Sequence, residues 1–268
     1  MLQPQHLVLF DVDGTLTEAR RPIEKAMLKA LRELSRHAEI GFLTGSGLEY
    51  IKEQLWPALA DPIIRQNCHL LPCNGTEYVI PYGDEEIIFN PMSKEYMIDS
   101  IGKKDFYKLL SVLCEYQAEV VAENHDLPLT GNFIQNRGSM INWCPIGRNA
   151  EQEDRNVFKS LDSLYGIRKK YIDKLKNYIS NTEMNITVKL GGNTSFDIFP
   201  TGWDKTFALS HFDGPNWVFW FVGDRCSPIG NDYEIFSALK DTGRAFEVGS
   251  PEETVDIIDF HILRDLGA

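Results

Sequence analysis

Long apolar runs are missing from this 268-residue chain. The longest, such as Trp217 to Val222, are far too short to cross a bilayer, which speaks against a membrane partner. Positive charge is also scarce. Lys and Arg total 27 against 39 Asp and Glu, a net charge of −12, which argues against nucleic acid or an anionic lipid surface as the main partner. An anionic substrate stays open only if the few cations gather at one site. The five cysteines, Cys68, Cys73, Cys114, Cys144 and Cys226, are odd in number and make no C-x-x-C pair. They read as free thiols in a reducing cytoplasm, and the six scattered histidines offer no grouping tight enough for zinc. Met1 to His6 is polar and carries no signal peptide. Internal repeats and low-complexity segments are absent. With 43% hydrophobic and 25% charged residues, the chain is globular and long enough to bury a core without disulfides.

Leu7 to Phe10 is a continuous apolar run that ends in the turn-prone Asp11-Val12-Asp13-Gly14. It reads as a strand buried on both faces, the kind found inside a parallel sheet. Met27, Ala30, Leu31 and Leu34 fall at helical spacing, so a helix is expected over about 23–37. A short strand, Ile40 to Thr44, a helix over 47–56 and a strand near Leu70 and Leu71 follow. This alternation marks an α/β fold with a doubly wound parallel sheet. From 84 to 187 the rhythm breaks into short strands, at Phe133 to Gln135 and Met140 to Trp143, and two helices, near 103–116 and 167–180. That segment reads as an inserted α+β cap, and 1–83 with 188–268 as a discontinuous core. Ile186 to Leu190 and Ser195 to Phe199 form a strand pair at its return. Trp217 to Val222 and Arg244 to Val248 resume the core, and Ser250-Pro251-Glu252-Glu253 supplies an N-cap, a first-turn proline and a third-position glutamate for a last helix.

Asp11-Val12-Asp13-Gly14-Thr15 directly follows the buried first strand, at the carboxyl end of a parallel sheet, where open α/β sheets place their ligands. Two carboxylates two residues apart at a strand exit can divide the work. One attacks phosphorus while the other handles the leaving-group proton, and each offers an oxygen, or a backbone carbonyl beside it, to a hard divalent ion. The bland alternative is a turn, which Asp and Gly also favour. The strand before it and Thr15-Leu16-Thr17 after it tip the reading to chemistry.

Phe10-Asp11-Val12-Asp13-Gly14-Thr15-Leu16-Thr17 resembles the first motif of the haloacid dehalogenase (HAD) superfamily of aspartyl phosphotransferases. The remaining motifs occur in order: Thr44-Gly45-Ser46, Asp204-Lys205, and Gly223-Asp224 with Asn231-Asp232. The resemblance implies a Rossmannoid core, with Asp11 as nucleophile and Asp13 as general acid and base. Thr44 and Ser46 would hold the transferring phosphoryl group, Lys205 would balance charge, and Mg2+ would sit on Asp11, Asp13, Asp224 and Asp232.

The insert narrows the resemblance to the eukaryotic-type α-phosphomannomutases. The stretch from Arg137 to Arg155, with Met140-Ile141-Asn142-Trp143-Cys144-Pro145-Ile146-Gly147-Arg148 inside it, is similar to that family's cap. Gly191-Gly192-Asn193-Thr194-Ser195-Phe196-Asp197-Ile198-Phe199-Pro200 is similar to its Ser-Phe-Asp signature. The implied substrate-binding residues are Arg20, Arg137, Arg148, Arg155, Ser195 and Asp197. Arginine forks grip phosphate oxygens at two points, which suits them to a dianion; paired surface arginines on an acidic protein are the plainer alternative. The pattern departs from the family at Arg225, where lysine is usual, at Cys73, where glutamate is usual, and at Ala238, where aspartate is usual. The implied activity is interconversion of mannose 6-phosphate and mannose 1-phosphate through a phospho-aspartate, with a hexose 1,6-bisphosphate activator. Mannose 1-phosphate would feed GDP-mannose synthesis. A sugar-phosphate phosphatase with the same core, and a silent sugar-phosphate sensor, are the rival readings. A homodimer through the cap is a further implication.

Overall fold

The computed structural model describes residues 4–19, 21–124 and 126–268. Its strands are, in chain order, β1 (Gln5–Phe10), β2 (Glu39–Leu43), β3 (Cys68–Leu71), β4 (Glu77–Tyr82) and β5 (Ile88–Lys94). Then come β6 (Ile134–Asn136), β7 (Ile141–Trp143), β8 (Ile186–Gly191), β9 (Ser195–Pro200), β10 (Trp217–Gly223) and β11 (Ala245–Glu247). The principal helices are α1 (Lys25–Leu34), α2 (Leu48–Ala60), α3 (Lys103–Glu123), α4 (Gln152–Tyr165), α5 (Ile167–Ser180), α6 (Tyr233–Leu239) and α7 (Pro251–Ile257). Among the described residues no helix is long and apolar enough to cross a membrane.

The chain divides into two compact units, Met1–Lys94 with Gly202–Ala268, and Glu95–Thr201. The first is built on a seven-stranded sheet ordered β11-β10-β1-β2-β3-β4-β5. Its first five strands are parallel, and β4 and β5 add an antiparallel edge. β1 lies near the middle, which explains its unbroken apolar sequence. Val8 and Phe10 pack into one cluster with Met27 and Leu31 of α1 and Ile51 and Leu55 of α2. Leu7 and Leu9 face the other way, onto Ala208, Phe212, Ile235 and Leu239. All four β1 side chains are wholly buried, and each stabilises the fold by about 2 kcal/mol. The last helix starts as the sequence predicts, with Ser250 Oγ accepting from Glu253 N at 3.4 Å and Pro251 in the first turn.

The second unit has a four-stranded antiparallel sheet ordered β6-β7-β9-β8. Its aromatic core stacks Trp143 on Phe196, ring centroids 4.7 Å apart, with Tyr171 edge-on to Trp143 at 5.6 Å.

The boundaries differ from the expected 84–187 insert at both ends. On the entry side the chain turns back through Gly83 and pairs β5 with β4, so 84–94 stays with the first unit. On the return side, β8 and β9 pair with each other and β9 with β7, so residues 188–201, expected in the core, belong to the second unit. A hairpin looks the same in sequence whichever sheet receives it. Helix α4 is absent from the expectation; its apolar residues Val157, Phe158, Leu161, Leu164 and Tyr165 fall at helical spacing, but only Phe158 is buried.

Candidate active site

The register of the first sheet assembles the site. Phe10 lies opposite Val222 on β10 and Phe42 on β2. Asp11 extends β1 by one residue, its N–H donating to Val222 O at 3.0 Å. Asp11, Thr44 and Asp224 therefore leave three neighbouring parallel strands at the same, carboxyl, end. The turn after Asp11 closes on Val12 O, which accepts from the N–H groups of Leu16 and Thr17, both at 3.0 Å. Gly14 has φ +87° there, and a Cβ on it would come within 2.5 Å of Asp224 Oδ2. Glycine is thus required both for the turn and for the approach of the carboxylate. Gly223 leaves room for Asp232, whose Oδ2 would lie 2.7 Å from an added Cβ.

Lys205 follows Asp204, which caps the short helix Lys205–His211 by accepting from Thr206 N at 2.9 Å. The cap sends Lys205 inward. Its ammonium, with no solvent exposure, donates to Asp11 Oδ1 and to Asp232 Oδ1, the latter at 2.6 Å. Asp232 Oδ2 accepts from Arg225 N at 3.0 Å. Burial pulls the lysine down, but the two carboxylates outweigh it and hold Lys205 above the ordinary lysine range, so it stays cationic. Asp11 is pushed well up, first by burial and then by the charges of Asp232 and Asp224, against the pull of Lys205. Burial and the neighbouring Asp232 push Asp224 up to about 6.

Burial is the largest cause of the two carboxyl shifts, and the crowding of three carboxylates around one buried ammonium adds to it. Oxygens of Asp11, Asp224 and Asp232 lie within 4.8 Å of one another, and Asp224 Oδ1 is buried without a hydrogen-bond partner. A hard divalent cation fits this all-oxygen set and relieves both the repulsion and the orphaned oxygen. Magnesium is therefore expected to raise Tm by about 5 °C when present at roughly 100 times its dissociation constant. Asp224→Asn is expected to abolish that rise, as read by thermal unfolding with and without chelator.

Asp13 lies in the turn that follows Asp11. Its carboxylate is not among the three gathered oxygens but turns toward α2, accepting from Tyr50 OH at 2.9 and 3.0 Å and from Gln54 Nε2 at 3.4 Å. Thr44 and Ser46 lie in the loop after β2, where Ser46 N donates to Thr44 Oγ1 at 3.1 Å. Cys73 and Asn74, both with positive φ, brace that loop: Cys73 N donates to Ser46 O and Asn74 N to Thr44 O, both at 2.8 Å. Arg20 lies outside the described residues.

In the second unit, β7 pairs with β9 so that Asn142 stands opposite Asp197. Asn142 Nδ2 donates to Asp197 Oδ1 at 2.7 Å and to Ser195 Oγ at 3.1 Å. Arg137 Nη1 lies 4.0 Å from Asp197 Oδ1. Arg155 donates to Ala150 O at 2.9 Å, Thr194 Oγ1 at 3.0 Å and the backbone carbonyl of Arg148 at 3.3 Å. The structure thus links Arg137 with Asp197, and Asp197 with Ser195 through Asn142, while Arg155 is joined to Arg148 and Thr194. Sequence reasoning passed over Tyr50, Gln54, Asn142 and Thr194. Tyr50 and Gln54 are marked in the sequence only as an i, i+4 pair on α2, among the equally polar Glu49, Lys52 and Glu53, and Asn142 as a polar break in an apolar strand.

Residues 27–264 match the family described as eukaryotic phosphomannomutase. The chain belongs to that family. Relatives of this phosphomannomutase-family chain include the phosphomannomutase of Saccharomyces cerevisiae, 36% identical over 262 residues, which are 96% of this chain and 94% of the relative. The phosphomannomutase of Schizosaccharomyces pombe is 36% identical over 94% of this chain and 92% of its own, and that of Dendrobium officinale 34% identical over 97% and 95%. Among solved structures, the family member's fold is similar to the C-terminal domain of Candida albicans trehalose-6-phosphate phosphatase. That pair has a TM-score of 0.58 and 14% identity over 96% of this chain and 91% of the other. N-terminally truncated Plasmodium falciparum IMP-nucleotidase gives a TM-score of 0.62 and 14% identity over 97% and 71%. At such identities the likeness concerns the fold alone, a HAD-type α/β fold.

Proposed function

We propose that the protein interconverts mannose 6-phosphate and mannose 1-phosphate through a phosphorylated Asp11, using a hexose 1,6-bisphosphate as activator and Mg2+ as the ion. Its product would supply GDP-mannose synthesis. The observation that carries the reading is the buried Asp11 carboxylate, held by the Lys205 ammonium at the mouth of a parallel sheet with a second carboxylate two residues on. A carboxyl oxygen fixed beside an ammonium in a site of low dielectric suits in-line attack on phosphorus.

In the first half-reaction an Asp11 oxygen forms a bond to phosphorus as the bond from phosphorus to the sugar oxygen breaks. Asp13 gives its proton to that departing oxygen. In the second half-reaction Asp13 takes the proton from the acceptor hydroxyl, the hydroxyl oxygen attacks the phospho-aspartate, and Asp11 leaves as carboxylate. Lys205 stays protonated and offsets charge on Asp11 and the phosphoryl oxygens, while Thr44 and Ser46 bind the transferring group. A divalent ion held by Asp11, Asp224 and Asp232, with Asp13 contributing at most through its backbone, would neutralise charge between the nucleophile and its anionic target. In the second unit Arg137, Arg148, Arg155, Ser195 and Asp197 would bind the phosphate and hydroxyls that do not react, joined by Arg20. The five free cysteines, four of them buried, are in keeping with a reducing cytoplasm. Exposed Val157, Leu164 and Tyr165 on the insert are in keeping with pairing of two copies through it.

A time course on mannose and glucose 1-phosphates with magnesium tests the proposal, with and without hexose 1,6-bisphosphate, following both isomer and free phosphate. Bisphosphate-dependent isomer with little free phosphate is the expected result. Free phosphate released without isomerisation would replace the mutase reading with a phosphatase.

A further inference from the structure

Asp13 is expected to hand a proton to a sugar oxygen and later to retrieve one, so its carboxyl must keep one orientation in both protonation states. Its carboxylate accepts from Tyr50 OH at 2.9 Å to Oδ1 and 3.0 Å to Oδ2, and from Gln54 Nε2 at 3.4 Å to Oδ1. Tyr50 and Gln54 lie four residues apart on α2 and so share one face of it. Gln54 is 3% exposed and is itself held: its Oε1 accepts from Thr17 Oγ1 at 3.1 Å. Thr17, 1% exposed, belongs to the same turn as Asp13, bridged to it in the backbone and donating its N–H to Val12 O. The threonine hydroxyl anchors the far end of the amide, and the Asp13 carboxylate sets which end faces it. With the amide reversed, its oxygen would confront the carboxylate.

We infer that Tyr50, with Gln54 held by Thr17, is a positioning device that orients the Asp13 carboxyl for proton transfer to the reacting sugar oxygen. The inference rests on the reading of Asp13 as general acid and base. Two donors from one face of α2 hold the Asp13 carboxyl, and an acid already in position spares the transition state that reorganisation. Of the three side chains, Tyr50 and Gln54 act on Asp13 directly and Thr17 acts through Gln54.

The device matters only where the leaving oxygen needs a proton. A sugar hydroxyl departs poorly as an alkoxide, whereas acetate departs readily as an anion, so acetyl phosphate can phosphorylate Asp11 without an acid. The test is rapid-quench measurement of Asp11 phosphorylation from hexose 1,6-bisphosphate and from acetyl phosphate, for the unaltered protein, Asp13→Asn, Tyr50→Phe, Gln54→Met and the Asp13→Asn/Tyr50→Phe pair. Tyr50→Phe is expected to lower the ratio of bisphosphate rate to acetyl phosphate rate about 30-fold, a part of the roughly 10²–10⁴-fold that acid–base assistance supplies, with KM for the bisphosphate changed by no more than about twofold. Gln54→Met is expected to lower the ratio by about fivefold. Adding Tyr50→Phe to Asp13→Asn is expected to change the ratio no further, since the residue it positions is already disabled. Equal slowing with both donors in Tyr50→Phe, or an unchanged ratio, would overturn the inference while leaving Asp13 as acid intact, provided Asp13→Asn lowers the ratio. If Asp13→Asn itself leaves the ratio unchanged, the role of Asp13 fails and the inference falls with it.

Discussion

Asp11→Asn is expected to abolish phosphoryl transfer, a loss of at least about 10⁴-fold in kcat, in a protein that remains folded and is no less stable than its parent. The two halves of that expectation have one cause. Burial, then Asp232 and Asp224, push the Asp11 carboxyl well up against the pull of Lys205. A raised folded-state pKa means that the fold favours the neutral form, so at neutral pH the charge on Asp11 is held at a cost. The amide removes this cost together with the nucleophile. Asn can still accept from Lys205 through its oxygen, and Lys205 keeps its bond to Asp232. Thermal unfolding without added ion and an isomerase assay on the same preparation read the two halves. A stability loss that explains the loss of activity would contradict this picture of a functional residue held against the preference of the fold.

Lys205→Met is expected to do the reverse damage. It leaves Asp11 and Asp232 buried without their shared ammonium, a loss of about 3–5 kcal/mol in unfolding free energy, and it lowers kcat by about 10³-fold. Methionine matches the length of the lysine stem, so packing is nearly kept and the loss reports charge. Combining it with Asp11→Asn is expected to recover part of the stability, because one orphaned carboxylate becomes neutral while activity stays lost. Urea unfolding of the two single variants and the pair measures the coupling. Additive losses would show that the carboxylates do not depend on this lysine as the geometry requires.

The centre of the site was legible because its signal is local. Leu7 to Phe10 is apolar on every residue since both faces of β1 are covered, and a carboxylate pair at the exit of such a strand has few other uses. The ordered partners, Thr44, Lys205 and Asp224, sit at or near strand ends that the alternating pattern already located. What escaped was set by contacts between distant segments. Nothing near residues 188–200 distinguishes a core strand from a strand of the second sheet; the pairing of β9 with β7, more than 50 positions earlier, decides it. The strand β5 is mostly exposed and carries Pro91, so it shows no alternation to read. At an Asp-x-Asp turn the second residue can offer an ion its carboxylate or a backbone carbonyl, and nothing local to Asp13 decides between them. Its carboxylate instead meets Tyr50 and Gln54, 37 and 41 residues onward. The insert's arginines were readable as a set only through family resemblance, since three arginines spread over nineteen positions carry no periodic signal of their own.

The most direct measurement of the central claim is rapid acid quench of the magnesium-loaded protein with hexose 1,6-bisphosphate, followed by peptide mass spectrometry. One phosphoryl group per chain on Asp11, formed as fast as turnover and discharged by added mannose 6-phosphate, is the predicted result. Turnover with no phosphorylated Asp11, or with the label on another residue, would contradict the account.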